Sequence, residues 1–194
     1  TADSGWMSQG YKDAVPASFI KYGKRTMAPA SFHTLLHAYY EEEALHISGR
    51  YLQAYSQEKL LLCHEISALE ICFDRETHYF VLLYEPTKYT TVEIEPHITF
   101  SGTLMFLRTQ DEQIREIMLY QARWLVVNGR VVFASDTPIE NVTLQFEGER
   151  LHVICSDNHI FRTHSADITE VFVNHRPIRM KHEDDSLLIS TTRI

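Results

Sequence analysis

With 194 residues, 44% of them apolar and 11% aromatic, the chain has ample material for a sizeable core, which excludes an intrinsically disordered segment. A net charge of −8 opposes binding to nucleic acid or to an anionic membrane surface, and the densest basic cluster, Lys21, Lys24 and Arg25, is too small to override it. No apolar run approaches the roughly 18 residues of a membrane span, and the opening residues lack a signal-peptide pattern.

Thr1 is not an initiator Met, which predicts a piece or a processed form of a longer protein. Residues 1–31 read as a loop-like extension, punctuated by Gly5, Gly10, Pro16, Gly23 and Pro29. Trp6, Tyr11 and Tyr22 lie in that polar stretch. Core or interdomain packing is the plainer use of such rings. Aromatic faces also stack on the C–H bonds of sugars, so Trp6 and Tyr11 are the candidates for carbohydrate contact.

A β-domain is expected over residues 32–194. Phe32–Ala38 reads as a strand, yet helical spacing also fits Phe32, Leu35, Leu36, Tyr39 and Tyr40. The alternatives differ chemically. On a helix, His33 and His37 would share a face, with Glu41 and Glu42 beyond. On a strand they would stand about 13 Å apart, too far for one ion. Thr34-Leu35-Leu36 between them also lacks the glutamate of a His-Glu-x-x-His motif. Neither a metal nor another cofactor is expected.

Strand signals then become steady. Leu69–Phe73 and Tyr79–Tyr84 predict a hairpin with a four-residue loop, Asp74–Thr77, and Thr91–Glu95 alternates cleanly. Thr99–Arg108 and Ile114–Val127 should face each other across Gln110–Gln113. Asn128-Gly129, between Trp124 and Phe133, tolerates the positive φ angles of a type I′ turn. Leu144 and Phe146, the turn Glu147–Glu149, and Leu151, Val153 and Cys155 predict another hairpin. Val171–Met180 repeats the pattern around Asn174-His175, and Asp184-Asp185 turns the chain into Leu187–Ile189. Roughly ten to thirteen strands exceed what one open sheet usually carries. The expected class is all-β: an antiparallel two-layer β-sandwich, jelly-roll-like, with the loop-rich extension at its N-terminus.

Enzyme motifs are sparse. Cys63, Cys72 and Cys155 sit in apolar runs whose spacing suits neither zinc nor a disulfide framework, so core thiols are expected. Glu93/Glu95 and Asp184/Asp185 read as solvated carboxylates. Ser8, Ser31 and Ser67 lack a Gly-x-Ser-x-Gly context. Asn141-Val-Thr143 matches a glycosylation acceptor, but within a strand. His78, His97, His152, His159, His164 and His182 flank turns or take polar strand positions, where surface placement is the default. Trp124 joins the extension's aromatics as a ring of interest.

Gly5-Trp-Met-Ser8-Gln-Gly10-Tyr11 resembles a "Gly-Trp-x-Ser-x-x-Tyr-Gly" stretch, and Ala28-Pro-Ala-Ser-Phe32-His-Thr34-Leu-Leu36 resembles "Leu-Pro-x-x-Phe-x-Thr-Leu-Leu". Trp124–Val132 and Val171–Pro177 are similar to closing hairpins of the same family, the heparinase II/III-like polysaccharide lyases, in their C-terminal β-domain. The departures are Lys12 after Tyr11, Ala28 in place of Leu, and His175 in place of the hairpin Gly. The resemblance makes Phe32–Ala38 a strand. It implies a parent that cleaves uronic-acid polysaccharides by β-elimination: a neutralised carboxylate acidifies C5–H, a tyrosine or histidine removes that proton, and the 4-O-linked sugar leaves.

The family's catalytic residues belong to an upstream helical toroid and central sheet, and no motif carrying them matches here. No catalytic residue is assigned, and the chain alone is expected to be inactive. Its implied partners are the upstream catalytic region of the same protein and polysaccharide, in a periplasmic or extracellular setting. The alternatives are a stand-alone carbohydrate-binding module and a His-rich metal enzyme on a β-barrel.

Overall fold

The computed structural model describes residues 2–10, 13–20, 33, 46–88, 91–156, 159–164, 167–179, 181–183 and 186–191, with the backbone alone for 2–10, 13–20 and 182–183. The chain divides into two compact units, Thr1–Phe32 and His33–Ile194. In the first, β1 (Ala2–Gly10) and β2 (Asp13–Ile20) pair antiparallel, with Trp6 opposite Pro16. These residues are therefore a hairpin where the sequence predicted loop. A strand with one partner has an outward edge on which the missing N–H of proline costs nothing, so Pro16 is no obstacle.

The second unit is all-β. Its strands are β3 (Ile47–Tyr51), β4 (Ala54–Ser56), β5 (Lys59–Leu60), β6 (Ile66–Phe73), β7 (Glu76–Leu83), β8 (Val92–Ile94), β9 (Ile98–Ser101), β10 (Leu104–Gln110), β11 (Gln113–Val127), β12 (Arg130–Glu147), β13 (Arg150–Cys155), β14 (Ile160–His164), β15 (Glu170–Val173), β16 (Arg176–Ile178), β17 (Lys181–Glu183) and β18 (Ser186–Ser190). These sixteen, counted among the described residues, exceed the expected ten to thirteen, because several are only two or three residues long.

The tight turns follow local chemistry. Asn128 (φ 51°) and Gly129 (φ 75°) join β11 to β12 as predicted, with Val127 opposite Arg130. Asn174 (φ 48°) and His175 (φ 66°) make an equivalent two-residue turn between β15 and β16. Histidine takes there the left-handed position that glycine fills more cheaply. Asn174 has a further use. Its side-chain amide donates to the Cys155 carbonyl at 2.9 Å and accepts from the Cys155 N–H at 3.2 Å, extending the β13 ladder.

Two predicted boundaries move. β6 and β7 pair up to Phe73 opposite Glu76, so their loop is two residues, Asp74-Arg75, not four. The run 99–108 is not one strand either: it breaks at Gly102 into β9 and β10. Of the predicted strand 32–38 only His33 is described, outside any strand, and Asp184-Asp185 lie outside the described residues.

Long strands organise the unit. The N-terminal half of β11 pairs with β10, and its C-terminal half pairs with β9. β12 likewise pairs with β14 at Ala134 and with β13 from Val142 to Glu147. Partners therefore fall into two groups: β3-β6-β7-β10-β11-β12-β13-β15-β16, and β5-β4-β8-β9 with β14-β18-β17 on the other halves of β11 and β12. One pairing departs from the antiparallel expectation. β15 runs parallel to β13, because the intervening β14 belongs to the other group.

Alternation buries one face of each group. Leu107, Ile117, Leu144 and Leu151 from the first group, and Phe100, Leu125, Phe133, Phe161, Leu187 and Ile189 from the second, belong to one fully buried core cluster. Cys155 is buried as expected, but Cys72 is only half-buried and Cys63 is exposed.

Candidate functional site

Three surfaces combine exposure with chemistry. The first is a groove at the corner where β11 and β12 change partners. Ala122 pairs with Ile139 but Trp124 pairs with Ala134, so residues 135–138 of β12 bulge out opposite Arg123. Bulges re-aim side chains, and here both Arg123 and Trp124 are exposed in succession. Arg123 donates from Nη2 to the Asp136 carbonyl at 2.8 Å and fixes the bulge, while Ser135 Oγ donates to the Ile160 carbonyl at 3.1 Å. Backbone pairing sets Ser101, Trp124, Ala134, Arg162 and Leu188 side by side on five neighbouring strands. All five line a groove of about 880 Å³, in which the Trp124 indole is 44% exposed.

The second surface is the outer face of the larger group. One row crosses seven strands: Tyr51, Leu69, Phe80, Phe106, Met118, Thr143 and Ile154. At about 4.8 Å per strand it spans roughly 29 Å. Tyr51 (63%), Phe80 (40%), Met118 (40%) and Ile154 (47%) are exposed, and Leu82 and Leu104 in the next row are too. Phe80 and Phe106 touch at 4.9 Å between ring centres. A polar row borders this stripe, with Arg108 paired to Glu116 at 3.4 Å and to Glu76 at 3.5 Å. His33 sits on the same face, hydrogen-bonded to the Tyr51 hydroxyl at 3.0 Å and to Ser67.

The third is a cleft of about 980 Å³ between strands of both groups, where Arg75, Arg115 and Arg130 gather with His97 and His164, against Glu112 and Asp167. Among the described residues, Arg115 Nε is buried there without a hydrogen-bond partner. Tyr79 also lines the cleft; burial first, then the Glu70 carboxylate, pushes its phenol above the ordinary 10.0. Because the folded form holds this proton more tightly, its stabilisation is complete below the unfolded pKa and is lost as pH rises through the raised folded value. Urea midpoints are expected to fall as pH rises above about 10, and to fall less steeply in Tyr79→Phe. Equal slopes in the two proteins would remove this role from Tyr79.

The residues predicted from sequence distribute unevenly over these surfaces. Trp124 anchors the groove. Trp6 stands on β1, described by its backbone, while Tyr11, Tyr22, His37, Glu41 and Glu42 lie outside the described residues. Among the described residues no cluster of three or more His, Cys, Asp or Glu is placed to hold a metal. Glu93 and Glu95 are exposed, as read. His78 and His152 differ from the expected free surface placement. The first packs against Phe73 (4.7 Å) and Phe106 (5.5 Å), and the second stacks on Phe172 at 5.0 Å.

Arg123 and Arg162 were missed by sequence reasoning, because isolated arginines on alternating strands give no local signal. A scan against protein-family models gives no match to this sequence, and a comparison with curated proteins gives none either.

Proposed function

We propose that this chain is a non-catalytic β-domain of a heparinase II/III-like polysaccharide lyase, docked on its catalytic region through the Tyr51–Ile154 stripe. The observation that carries this reading is a largely apolar row, broken only by Thr143, that crosses seven strands on an outer face, where antiparallel sheets are ordinarily polar. Sequence pattern supports it. Tyr79-Phe-Val-Leu-Leu83 and Leu104-Met-Phe-Leu107 are continuous apolar runs, the signature of strands covered on both faces. Only Val81, Leu83, Met105 and Leu107 of these are buried within the chain. Of the other parity, Phe80, Leu82 and Leu104 are exposed among the described residues, and the resemblance supplies a cover in the upstream helical region.

Co-expression with the region encoded upstream is the direct test. The chain is expected to co-purify with it, and Phe80→Asp with Met118→Asp to release it, while the exposed positions leave the chain's own melting temperature nearly unchanged. Retained docking in the double variant overturns the reading. So does cleavage of a polyuronate by the chain alone, followed by ultraviolet absorbance of unsaturated products. A stand-alone carbohydrate-binding module is the second reading, favoured by the Trp124 groove.

A further inference from the structure

We infer that the cleft between the two strand groups binds an oxyanion group, with the Arg115 guanidinium as its buried donor and Arg75 and Arg130 as cations at its rim. The site is independent of the Tyr51–Ile154 stripe, which lies on an outer face and contributes no residue to the cleft lining.

Strand register puts Arg115 there. Arg108 pairs with Glu116 and Thr109 with Ile114, so Arg115 is the extra residue of a bulge in β11. The β11–β12 ladder begins only at Glu116. A bulged residue stands outside the ladder, and its side chain is re-aimed. Arg115 lines the cleft together with Ile114 and Phe146 of the first group and Ile98 and Val132 of the second. All four belong to the buried core or pack against it, and Arg115 Nε is shut away from water among them. Among the described residues it meets no acceptor. A buried N–H without an acceptor is costly, and folded proteins leave few of them. A bound oxyanion supplies the acceptor and the counter-charge together.

Two hairpin tips bring further cations. Arg75 sits in the two-residue β6–β7 turn, and Arg130 directly follows the Asn128-Gly129 turn. Both are exposed and line the same cleft, one from each strand group. The lining also holds the carboxylates Glu112 and Asp167. Among the described residues, no ion pair joins either of them to Arg75, Arg115 or Arg130. A guanidinium's planar fork of N–H donors matches two oxygens of a carboxylate, sulfate or phosphate. The rim is also set in advance. The Asn128 N–H donates to the His97 carbonyl at 2.9 Å, which ties the β11–β12 turn to the β8–β9 turn. His97 itself holds φ at 123°, a strained conformation of the kind that clusters at ligand clamps. With the turn beside Arg130 already fixed, less ordering is lost on binding.

The test is an NMR titration of the whole isotope-labelled chain with inorganic sulfate, with benzoate and with benzamide, the neutral isostere of benzoate. The Arg115 Nε–H resonance is identified by its loss in Arg115→Met. It is expected to shift saturably with at least one of the two anions, with affinity falling as salt rises, and to stay in place with benzamide. The tighter of the two anions tells a free inorganic ion from an acidic group carried on an organic body. Arg115→Met keeps an apolar stem and should abolish the binding read by calorimetry. Arg130→Gln, at an exposed rim position that leaves the fold intact, should weaken it roughly threefold or more. Arg176→Gln removes the same charge from an exposed site on β16 outside the cleft and should leave binding unchanged. No saturable shift with either anion at millimolar concentration, an equal response to benzamide, or equal weakening by Arg130→Gln and Arg176→Gln would overturn the proposal. None of these outcomes bears on the docking test.

Discussion

Phe133→Ala is expected to destabilise the second unit by about 4 kcal/mol, the cost of removing a buried ring and leaving a cavity. Phe133 is fully buried on β12 and packs against Phe161 at 5.4 Å between ring centres, with planes tilted by 39°. Its neighbours explain the size of the effect. It is paired with Leu125 on β11, and Leu125, Leu187 and Ile189 are themselves fully buried. These residues sit in hydrogen-bonded strands whose backbone ladders resist collapse into the hole. In a unit of this size, the loss should lower the melting temperature by roughly 8–16 °C. Urea denaturation with an unchanged m-value measures it directly. A loss under about 1 kcal/mol would mean that the two strand groups do not share a close-packed core at this point.

What the sequence disclosed divides by range. Asn128-Gly129 was legible because two residues alone decide whether the backbone can take two positive φ angles. The alternation Leu151, Val153, Cys155 was legible for the same local reason, and all three are buried. The partner exchange of β11 and β12 was not. Ala122 opposite Ile139 and Trp124 opposite Ala134 are separated along β12 by a bulge whose residues, Ser135 to Pro138, look like ordinary turn chemistry. The parallel pairing of β15 with β13 was hidden too, because it depends on β14 crossing to the other group.

The candidate surfaces show the same limit. Phe80, Phe106 and Met118 have core composition, and composition does not say which of two apolar parities stays uncovered. Trp124 was visible as an aromatic ring of interest. That Arg162 stands two strands away, across Ala134, became visible only with the strand register.

Gly102→Ala is expected to cost about 2 kcal/mol, although adding a methyl at an unstrained glycine ordinarily stabilises by about 0.4–1 kcal/mol through the unfolded state. The difference is steric. A Cβ at Gly102 would stand 2.5 Å from Phe100 Cζ, 2.8 Å from Cε2 and 3.0 Å from Ala122 Cα. Phe100 is fully buried, so its ring cannot withdraw without displacing the core, and Ala122 offers only backbone. The crowding arises where the chain leaves β9 for β10 beside the corner at which β11 changes partners, with Thr103 N–H donating to the Tyr120 carbonyl at 3.0 Å. Gly49→Ala is the control. Its new Cβ would meet nothing closer than the Glu70 carbonyl at 3.5 Å, an ordinary contact, so it should be neutral or slightly stabilising. Equal effects from the two substitutions, measured as urea midpoints, would mean that the corner yields. The break between β9 and β10 would then owe nothing to the missing side chain. A loss confined to Gly102→Ala ties that break, and the groove beside it, to one position that only glycine fills without displacing its neighbours.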